Sequence, residues 1–284
     1  MQGYSGGPTW LQYLAKATAA PANKTWDFAI GGATSDDSIV NSVPYVPDLV
    51  AQVSTFLDVF ANTSVPGDEW TSDGAVFGKQ IAQRCPARRQ GLTILLHLTA
   101  IYFGTNDMTL PLERGFSITA RIPSIFASLD AQLARLVAAG ARHFLLPNLT
   151  PLHLTPRVRC LSPTLQAVWK DQVEGWNAAF PAHVATLPTK FPSTSFTLLD
   201  LYGLALPLYN QWGARGFKSD SYCQGYTRTA DDPDAWDEDA CGWPLSEYLW
   251  RDDFHLSTRA HELLAEAAVE VSTDISVSTA SSGS

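Results

Sequence analysis

Two short motifs in this 284-residue chain carry side chains that could act together on a carbonyl group. The segment Gly104-Thr105-Asn106-Asp107 follows an apolar run, and Asp252-Asp253-Phe254-His255 lies near the C-terminus before a helical stretch. A carboxylate three residues before a histidine can reach the imidazole across a turn and set its tautomer, which suits the histidine to general-base work. An asparagine amide at a turn is a fixed donor for developing negative charge. The motifs therefore predict an acid–base pair and an anion-stabilising donor.

Each motif also has an ordinary structural explanation. An aspartate and a histidine three residues apart often form a surface pair, and Gly-x-Asn-Asp often marks a turn because Gly and Asn tolerate positive φ. We expect the neighbouring carboxylates, Asp107 and Asp253, to cap turns or helices. The combination, its order and its placement are more specific than either motif alone, since Gly31-Gly32-Ala33-Thr34 also follows a predicted strand.

The elements that must position these residues alternate between strands and helices along the chain. Such alternation predicts a parallel sheet covered by helices, with the active site at the carboxyl ends of the strands. Gly31-Gly32, Gly104–Asn106 and Asn148 all follow predicted strands. We expect one domain over 1–275 and a flexible Ser-rich tail over 276–284. The predicted strands are Trp26–Ile30, Leu92–Phe103, Arg142–Leu146 and Phe196–Leu201, and the predicted helices are Thr9–Lys16, Tyr45–Phe60, Ile122–Ala139, Leu165–Leu187 and Arg259–Ile275.

Composition narrows the class of partner. Hydrophobic residues make up 45% of the chain and charged residues 17%, which is typical of a globular protein. The net charge of −9 and the lack of a Lys/Arg-rich segment argue against nucleic acid and against a membrane surface as partners. The longest apolar run, Leu92–Phe103, is too short to cross a bilayer.

The cysteines and the glycosylation sequons favour an extracellular protein. Cys223 and Cys241 flank a loop that a disulfide could close, although two reduced thiols remain the alternative. No cysteine spacing resembles a zinc site, so we expect neither metal nor cofactor. Sequons at Asn23, Asn62 and Asn148 lean weakly toward secretion.

Five segments together resemble the GDSL/SGNH hydrolase family, especially secreted fungal esterases of the acetylesterase and lipase-like type. The likeness covers nearly the whole chain. The segments are GYSGGPTWLQYLA at Gly3–Ala15, FAIGGATSDDS at Phe28–Ser38, YFGTNDM at Tyr102–Met108, ARHFLLPNLTPL at Ala141–Leu152 and YLWRDDFHLSTRAHELLAEA at Tyr248–Ala267.

The resemblance implies a fold, a reaction and a set of roles. The fold is a three-layer α/β/α sandwich with a parallel, flavodoxin-like sheet, and the reaction is serine-dependent hydrolysis of an ester. Gly32, through its backbone N–H, and Asn106, through its side-chain amide, would form the oxyanion hole. His255 would be the general base, and Asp252 would orient its imidazole.

The family's Gly-Asp-Ser segment, which carries the nucleophile, does not occur in this sequence. It should precede Gly3, so the nucleophile is unknown and we expect the chain to be truncated relative to the natural protein. Ser5 is not a substitute, and Ser35 and Ser38 are expected to cap the following helix. The first, central strand would be missing too, which would leave the Trp26–Ile30 and Ile101–Gly104 strands without a partner.

The segment Gly78–Leu98 departs from the family pattern. It joins a helix to the strand before Gly104 through a basic, Cys-containing stretch where a short loop is expected. It is either a genuine insertion or a retained intron, and in the second case Cys85 does not belong to the fold.

The substrate class predicted from the resemblance is a small, short-chain ester, above all an acetyl ester, and the alcohol is expected to be a carbohydrate. We expect an extracellular monomer. The alternatives are a non-catalytic relative that binds carbohydrate and a lipid acylhydrolase. A cluster of tryptophans near the Cys223–Cys241 loop could stack on sugar rings or simply pack around the loop. Its members are Trp212, Trp236, Trp243 and Trp250.

Overall fold

The computed structural model describes residues 5–17, 28–60, 77–78, 83–89, 92–228, 232 and 236–281. The chain forms two compact units. The helical unit contains 1–17, 150–167 and 201–284, and the sheet unit contains 18–149 and 168–200. The single domain over 1–275 stays a prediction.

The helices and strands are numbered in chain order within the described residues. The helices are α1 Trp10–Ala17, α2 Leu49–Phe60, α3 Thr105–Glu113, α4 Ile122–Ala138, α5 Pro156–Arg159, α6 Pro163–Val184, α7 Leu187–Lys190, α8 Leu201–Asn210 and α9 Thr258–Ser281. The strands are β1 Phe77–Gly78, β2 Gln83–Arg89, β3 Leu92–Tyr102, β4 His143–Pro147 and β5 Ser195–Leu199.

The sheet unit is built on a parallel sheet in the order β1-β3-β4-β5. Thr99 and Ala100 of β3 pair with Phe144 and Leu145 of β4, and β4 pairs along its whole length with β5. The first part of β3 pairs instead with β2 in an antiparallel hairpin. Parallel strands joined through helices confirm the predicted α/β class.

The edge of β3 differs from the prediction. Ile101 and Tyr102 were expected to lack a partner on one side, but they pair in parallel with Phe77 and Gly78 of β1. The predicted strand at Trp26–Ile30 is wrong for its described part, because Phe28–Ile30 is coil and joins none of the described ladders. Trp26 and Asp27 lie outside the described residues.

Helix α4 shows how the sequence pattern produces the packing. Ile125, Leu129, Leu133 and Leu136 recur at helical spacing and are all buried. The helix begins with a proline in its first turn and stops before Gly140, whose φ of +109° suits glycine. The prediction placed its end one residue later.

In the helical unit, α1 packs against the start of α9. Trp10, Leu11 and Leu14 form the buried face of α1. The Tyr13 hydroxyl lies 3.0 Å from the Thr258 hydroxyl, which donates to the carbonyl of Pro8 at 3.0 Å. Because α9 begins just after the Asp252–His255 motif, these contacts fix the chain immediately downstream of it.

The disulfide between Cys223 and Cys241 is present, which confirms that pairing. Helix α9 runs to Ser281, six residues beyond its predicted end, so part of the predicted tail is helical. The sequon at Asn148 is not a glycan acceptor in this fold, because Asn148 is buried and its amide donates to Asp200 at 2.7 Å. Asn23 and Asn62 lie outside the described residues.

Candidate active site

The predicted acid–base pair is formed in the helical unit. Nδ1 of His255 lies 2.8 Å from Oδ2 and 3.0 Å from Oδ1 of Asp252. The same Oδ1 accepts the backbone N–H of Phe254 at 2.8 Å and that of His255 at 2.6 Å. The carboxylate therefore organises the turn that brings the imidazole to it.

A closed loop presents this turn. Trp250 and Leu256 form an antiparallel bridge, and the N–H of Arg251 donates to the carbonyl of His255 at 2.9 Å. Trp250 is almost completely buried, so the base of the loop is anchored in the core. The side chains of Asp252 and His255 are 20% and 31% exposed, which leaves the pair accessible.

Hydrogen bonding sets the charge of this pair. Burial would raise the pKa of Asp252, but hydrogen bonds from His255 and from the turn N–H groups outweigh burial and lower that pKa. Asp252 is therefore ionised near neutral pH and can only accept. Nδ1 of His255 then carries the hydrogen, and Nε2 is the nitrogen suited to take a proton from a nucleophile.

An ion pair that sequence reasoning missed holds the outer side of the loop. Nη2 of Arg157 lies 2.9 Å from Oδ1 of Asp253, and its Nε donates to Oδ2 at 3.1 Å. The guanidinium also lies over the ring of Phe254, 4.9 Å from its centroid, and that ring meets the imidazole of His255 edge-on. The prediction that Asp253 serves as a turn or helix cap is therefore wrong. The sequence carries no local signal of a partner 96 residues away.

The second predicted half forms in the sheet unit, where β3 leads into α3. Gly104 precedes the helix with a φ of +110°, and a Cβ at this position would lie 2.6 Å from Cζ2 of Trp176. Only glycine fits both the backbone conformation and the indole. Asn106 consequently lies in the first turn of α3, just after the carboxyl end of β3, where the motif was predicted to lie.

Asn106 is bonded to the segment that carries Gly32. The Nδ2 of Asn106 donates to the carbonyl of Ala33 at 2.8 Å, next to Gly32 in the chain. Gly32 has a φ of +89°, and a Cβ there would lie 2.9 Å from Cγ2 of Val43. Among the described residues no acceptor takes the Gly32 N–H. Two donors of the type predicted for an oxyanion hole therefore lie on adjacent segments.

Asp107 joins the same two segments. Its two carboxylate oxygens each lie 3.1 Å from the backbone nitrogen of Ser35, and Oδ1 accepts the Ser35 hydroxyl at 2.5 Å. Both residues are buried. Burial raises the pKa of Asp107 to about 6, against the lowering effect of the hydrogen bonds from Ser35 and from the backbone of Asp107 and Gly104. The bond to Gly104 caps the start of α3, as expected of Asp107 from the sequence.

The serines near the oxyanion segment do not have the predicted roles. Ser35 and Ser38 lie in turns, well before α2 begins at Leu49, so the prediction that they cap the next helix is wrong. Ser38 bonds to Asp36 instead. Ser5 is buried with its hydroxyl on the carbonyl of Gly7, in agreement with its exclusion as nucleophile.

Three further observations bear on the chemistry. No group of three or more His, Cys, Asp or Glu residues suited to a metal ion occurs among the described residues. No helix in the described part of the chain is long and apolar enough to cross a membrane. His261, near the start of α9, is buried.

Comparison with known proteins identifies the family of this chain. The model of the family described as GDSL-like lipase/acylhydrolase matches residues 1–268. An acetylesterase of Thermothelomyces thermophilus is 23% identical over 273 residues, which is 94% of this chain and 75% of that relative. The chain therefore belongs to the GDSL-like lipase/acylhydrolase family, has that family's α/β fold, and is a carboxylic ester hydrolase.

Proposed function

We propose that this chain acts on short acyl esters, acetyl esters above all, with His255 as general base, Asp252 as its orienting carboxylate, and Gly32 and Asn106 as oxyanion donors. The observation that carries the proposal is the bond between Nδ1 of His255 and the Asp252 carboxylate at 2.8 Å. The relative named acetylesterase supports the choice of acyl group.

The reaction follows the usual course of acyl transfer. Nε2 of His255 takes the proton of a serine hydroxyl as its oxygen attacks the ester carbonyl. The negative charge that develops on the carbonyl oxygen is stabilised by the Gly32 N–H and the Asn106 amide. The imidazolium returns its proton to the leaving alcohol, and a water molecule then repeats the sequence on the acyl-enzyme and releases the acid.

We propose that the family's Gly-Asp-Ser segment supplies the serine. That segment does not occur in residues 1–284. Ser5 and Ser35 are fully buried, and the hydroxyls of Ser5, Ser35 and Ser38 already donate their hydrogens to other groups. The polypeptide of residues 1–284 should therefore hydrolyse esters weakly, and the same polypeptide preceded by a Gly-Asp-Ser strand should hydrolyse them well.

The exposed aromatic side chains in and next to the disulfide loop support a carbohydrate as the alcohol. Trp236 and Trp243 are 55% and 45% exposed. A single buried hydroxyl, that of Tyr226, donates to the carbonyl of Trp243 at 2.6 Å and accepts the N–H of Asp237, next to Trp236. Exposed indoles on a backbone fixed in this way suit stacking against sugar rings. The disulfide suits an extracellular protein, which we propose to be monomeric.

The test compares two polypeptides, residues 1–284 alone and the same residues behind a Gly-Asp-Ser strand, each as wild type and as His255→Ala. We expect para-nitrophenyl acetate to be hydrolysed mainly by the extended polypeptide and this activity to disappear with His255→Ala. Equal activity of the two wild-type polypeptides would overturn the assignment of the nucleophile. Hydrolysis that survives His255→Ala would overturn the assignment of the base.

A second series decides the substrate. Acetate, butyrate and octanoate esters are compared first, and acetylated oligosaccharide is then compared between wild type and Trp243→Ala. We expect a preference for acetate and a rise in KM for the oligosaccharide alone in the variant. A preference for octanoate would indicate a lipid acylhydrolase. Oligosaccharide binding without any hydrolysis by the extended polypeptide would indicate a non-catalytic binding protein.

A further inference from the structure

Asp107 is a buried carboxylate next to an oxyanion donor, and the reaction gives it no direct role. It is completely buried in the first turn of α3, directly after Asn106. A buried carboxylate is costly unless several hydrogen bonds hold it. Its partners are the backbone at the start of α3, at Gly104 and Asp107 itself, and Ser35, which donates both its N–H and its hydroxyl from 72 residues away in the chain.

Two consecutive side chains of α3 therefore hold the segment that follows Gly32. Asn106 donates to the carbonyl of Ala33, and Asp107 accepts from the backbone and side chain of Ser35. One hydrogen bond would let the segment pivot about it, whereas two bonds of opposite polarity, two residues apart, fix its direction. The carbonyl of Gly32 is held separately by the N–H of Val43 at 3.2 Å.

We infer that Asp107 is a positioning residue that acts through Ser35 to hold the Gly32 N–H and the Asn106 amide in a fixed mutual orientation. The inference rests on the proposed roles of Gly32 and Asn106. Donors stabilise a transition state well only when they need not reorganise during the reaction. Asp107 supplies that rigidity without touching the substrate.

Asp48 provides a matched control in the same loop. Its carboxylate is also buried and accepts two backbone N–H groups, those of Asp37 and Ala51, each at 2.8 Å. These bonds tie the loop to the start of α2 and do not involve α3. Asp48→Asn therefore removes a comparable charge and comparable bonds without releasing the segment next to Gly32.

The kinetic test uses the extended polypeptide that carries the Gly-Asp-Ser strand. For Asp107→Asn we expect kcat for para-nitrophenyl acetate to fall by about 10- to 100-fold with KM within about twofold, since removal of one oxyanion donor elsewhere costs about 10²–10³. Ser35→Ala should lower kcat in the same way, and the double variant should be no worse than Asp107→Asn. Asp48→Asn should leave kcat within about twofold.

A structural readout on residues 1–284 keeps the inference separate from the proposed function. In proton–nitrogen NMR spectra, Asp107→Asn should shift the Gly32 N–H and the Asn106 side-chain amide, and Asp48→Asn should leave both in place. Unchanged resonances in Asp107→Asn overturn the inference. Equal losses of kcat in Asp107→Asn and Asp48→Asn also overturn it. A wild-type extended polypeptide without activity overturns the proposed function, and the NMR comparison then still decides the role of Asp107.

Discussion

The two groups of predicted site residues, the oxyanion half in the sheet unit and the acid–base half in the helical unit, are held in place by opposite means. The oxyanion half is anchored by buried groups, Asp107, Ser35 and Trp176, all less than 4% exposed. In the acid–base half, the loop that carries His255 starts from the buried Trp250, but the tip of the loop is held by exposed groups. The side chains of Arg157 and Asp253 are 38% and 39% exposed.

The difference matches what each half must do. Oxyanion donors act by staying still, so every reorientation on binding would reduce their effect. A general base must exchange protons with a nucleophile and a leaving group, so its imidazole has to be reachable. The molecule uses buried contacts at distant sequence positions for the first task and a local turn with surface support for the second.

The largest expected effect comes from Asp252→Asn in the extended polypeptide. An amide at this position can present its NH₂ to Nδ1 of His255 and so favour the wrong tautomer, and the equivalent change in a serine protease costs about 10⁴ in kcat. We expect a loss of that order for para-nitrophenyl acetate, with circular dichroism unchanged. The exposed acid–base half should thus show a large effect on catalysis and a small one on folding. A loss below tenfold would show that Asp252 does not orient the base.

Substitution in the buried half should in addition reduce stability, and Gly104→Ala tests this. The substitution places a Cβ 2.6 Å from Trp176 on a backbone with φ of +110°, so both strain and overpacking apply. We expect the free energy of unfolding in urea to fall by about 3 kcal/mol. Gly140→Ala is the control, because Gly140 has a φ of +109° and nothing within 4 Å of its Cβ. Equal losses in the two variants would mean that the Trp176 contact contributes nothing.

The pH dependence of stability separates the two carboxylates. The pKa of Asp107 in the folded protein is about 6, above the ordinary 3.8, so the folded state binds this proton more tightly than the unfolded state. The free energy of unfolding should fall as pH rises from about 4 to about 6, by up to about 3 kcal/mol. The pKa of Asp252 is lowered, so its contribution is present above about pH 4 and lost as pH falls further.

Urea unfolding of residues 1–284 at pH 3 to 8 measures both slopes. Asp107→Asn should remove the decrease between pH 4 and 6, and Asp252→Asn should reduce the loss of stability below pH 4. Asp48→Asn serves as the control for a buried carboxylate, because Asp48 immediately precedes α2 and bonds to Asp37 and Ala51 rather than to Ser35. Superimposable curves for wild type and Asp107→Asn would contradict the buried environment of Asp107.

The sequence predicted the local features of this molecule and missed the distant ones. Motif spacing was enough to predict the Asp252–His255 bond, because a turn of three residues brings the two side chains together. Helical spacing with a terminal glycine was enough for α4. The pairing of Ser35 with Asp107 and of Arg157 with Asp253 joins positions 72 and 96 residues apart, and no periodicity reports such contacts.

Two errors have the same physical origin. Phe28–Ile30 has the composition of a strand, but a strand exists only where a neighbour supplies a ladder, and a sequence pattern does not show the neighbour. Ser35 and Ser38 are residue types that often cap helices, but the next helix begins only at Leu49. Asp48 caps that helix by accepting the N–H of Ala51. The residue type of Ser35 and Ser38 correctly indicated that their side chains form hydrogen bonds. It did not indicate the partners, which are Asp107 and Asp36.

The smallest expected effect concerns the exposed ion pair. Arg157→Met keeps the aliphatic stem but removes the bonds to Asp253 and the charge over Phe254, and such partly exposed pairs contribute about 0.2–1 kcal/mol. We expect unfolding to become easier by no more than about 1 kcal/mol and kcat of the extended polypeptide to fall less than tenfold. Arg159→Met is the control, because Arg159 pairs with Asp220 at similar exposure and does not contact the loop of His255. If Arg157→Met reduced kcat as strongly as Asp252→Asn while Arg159→Met did not, the acid–base half would depend on distant support as the oxyanion half does, and the contrast between the two halves would fail.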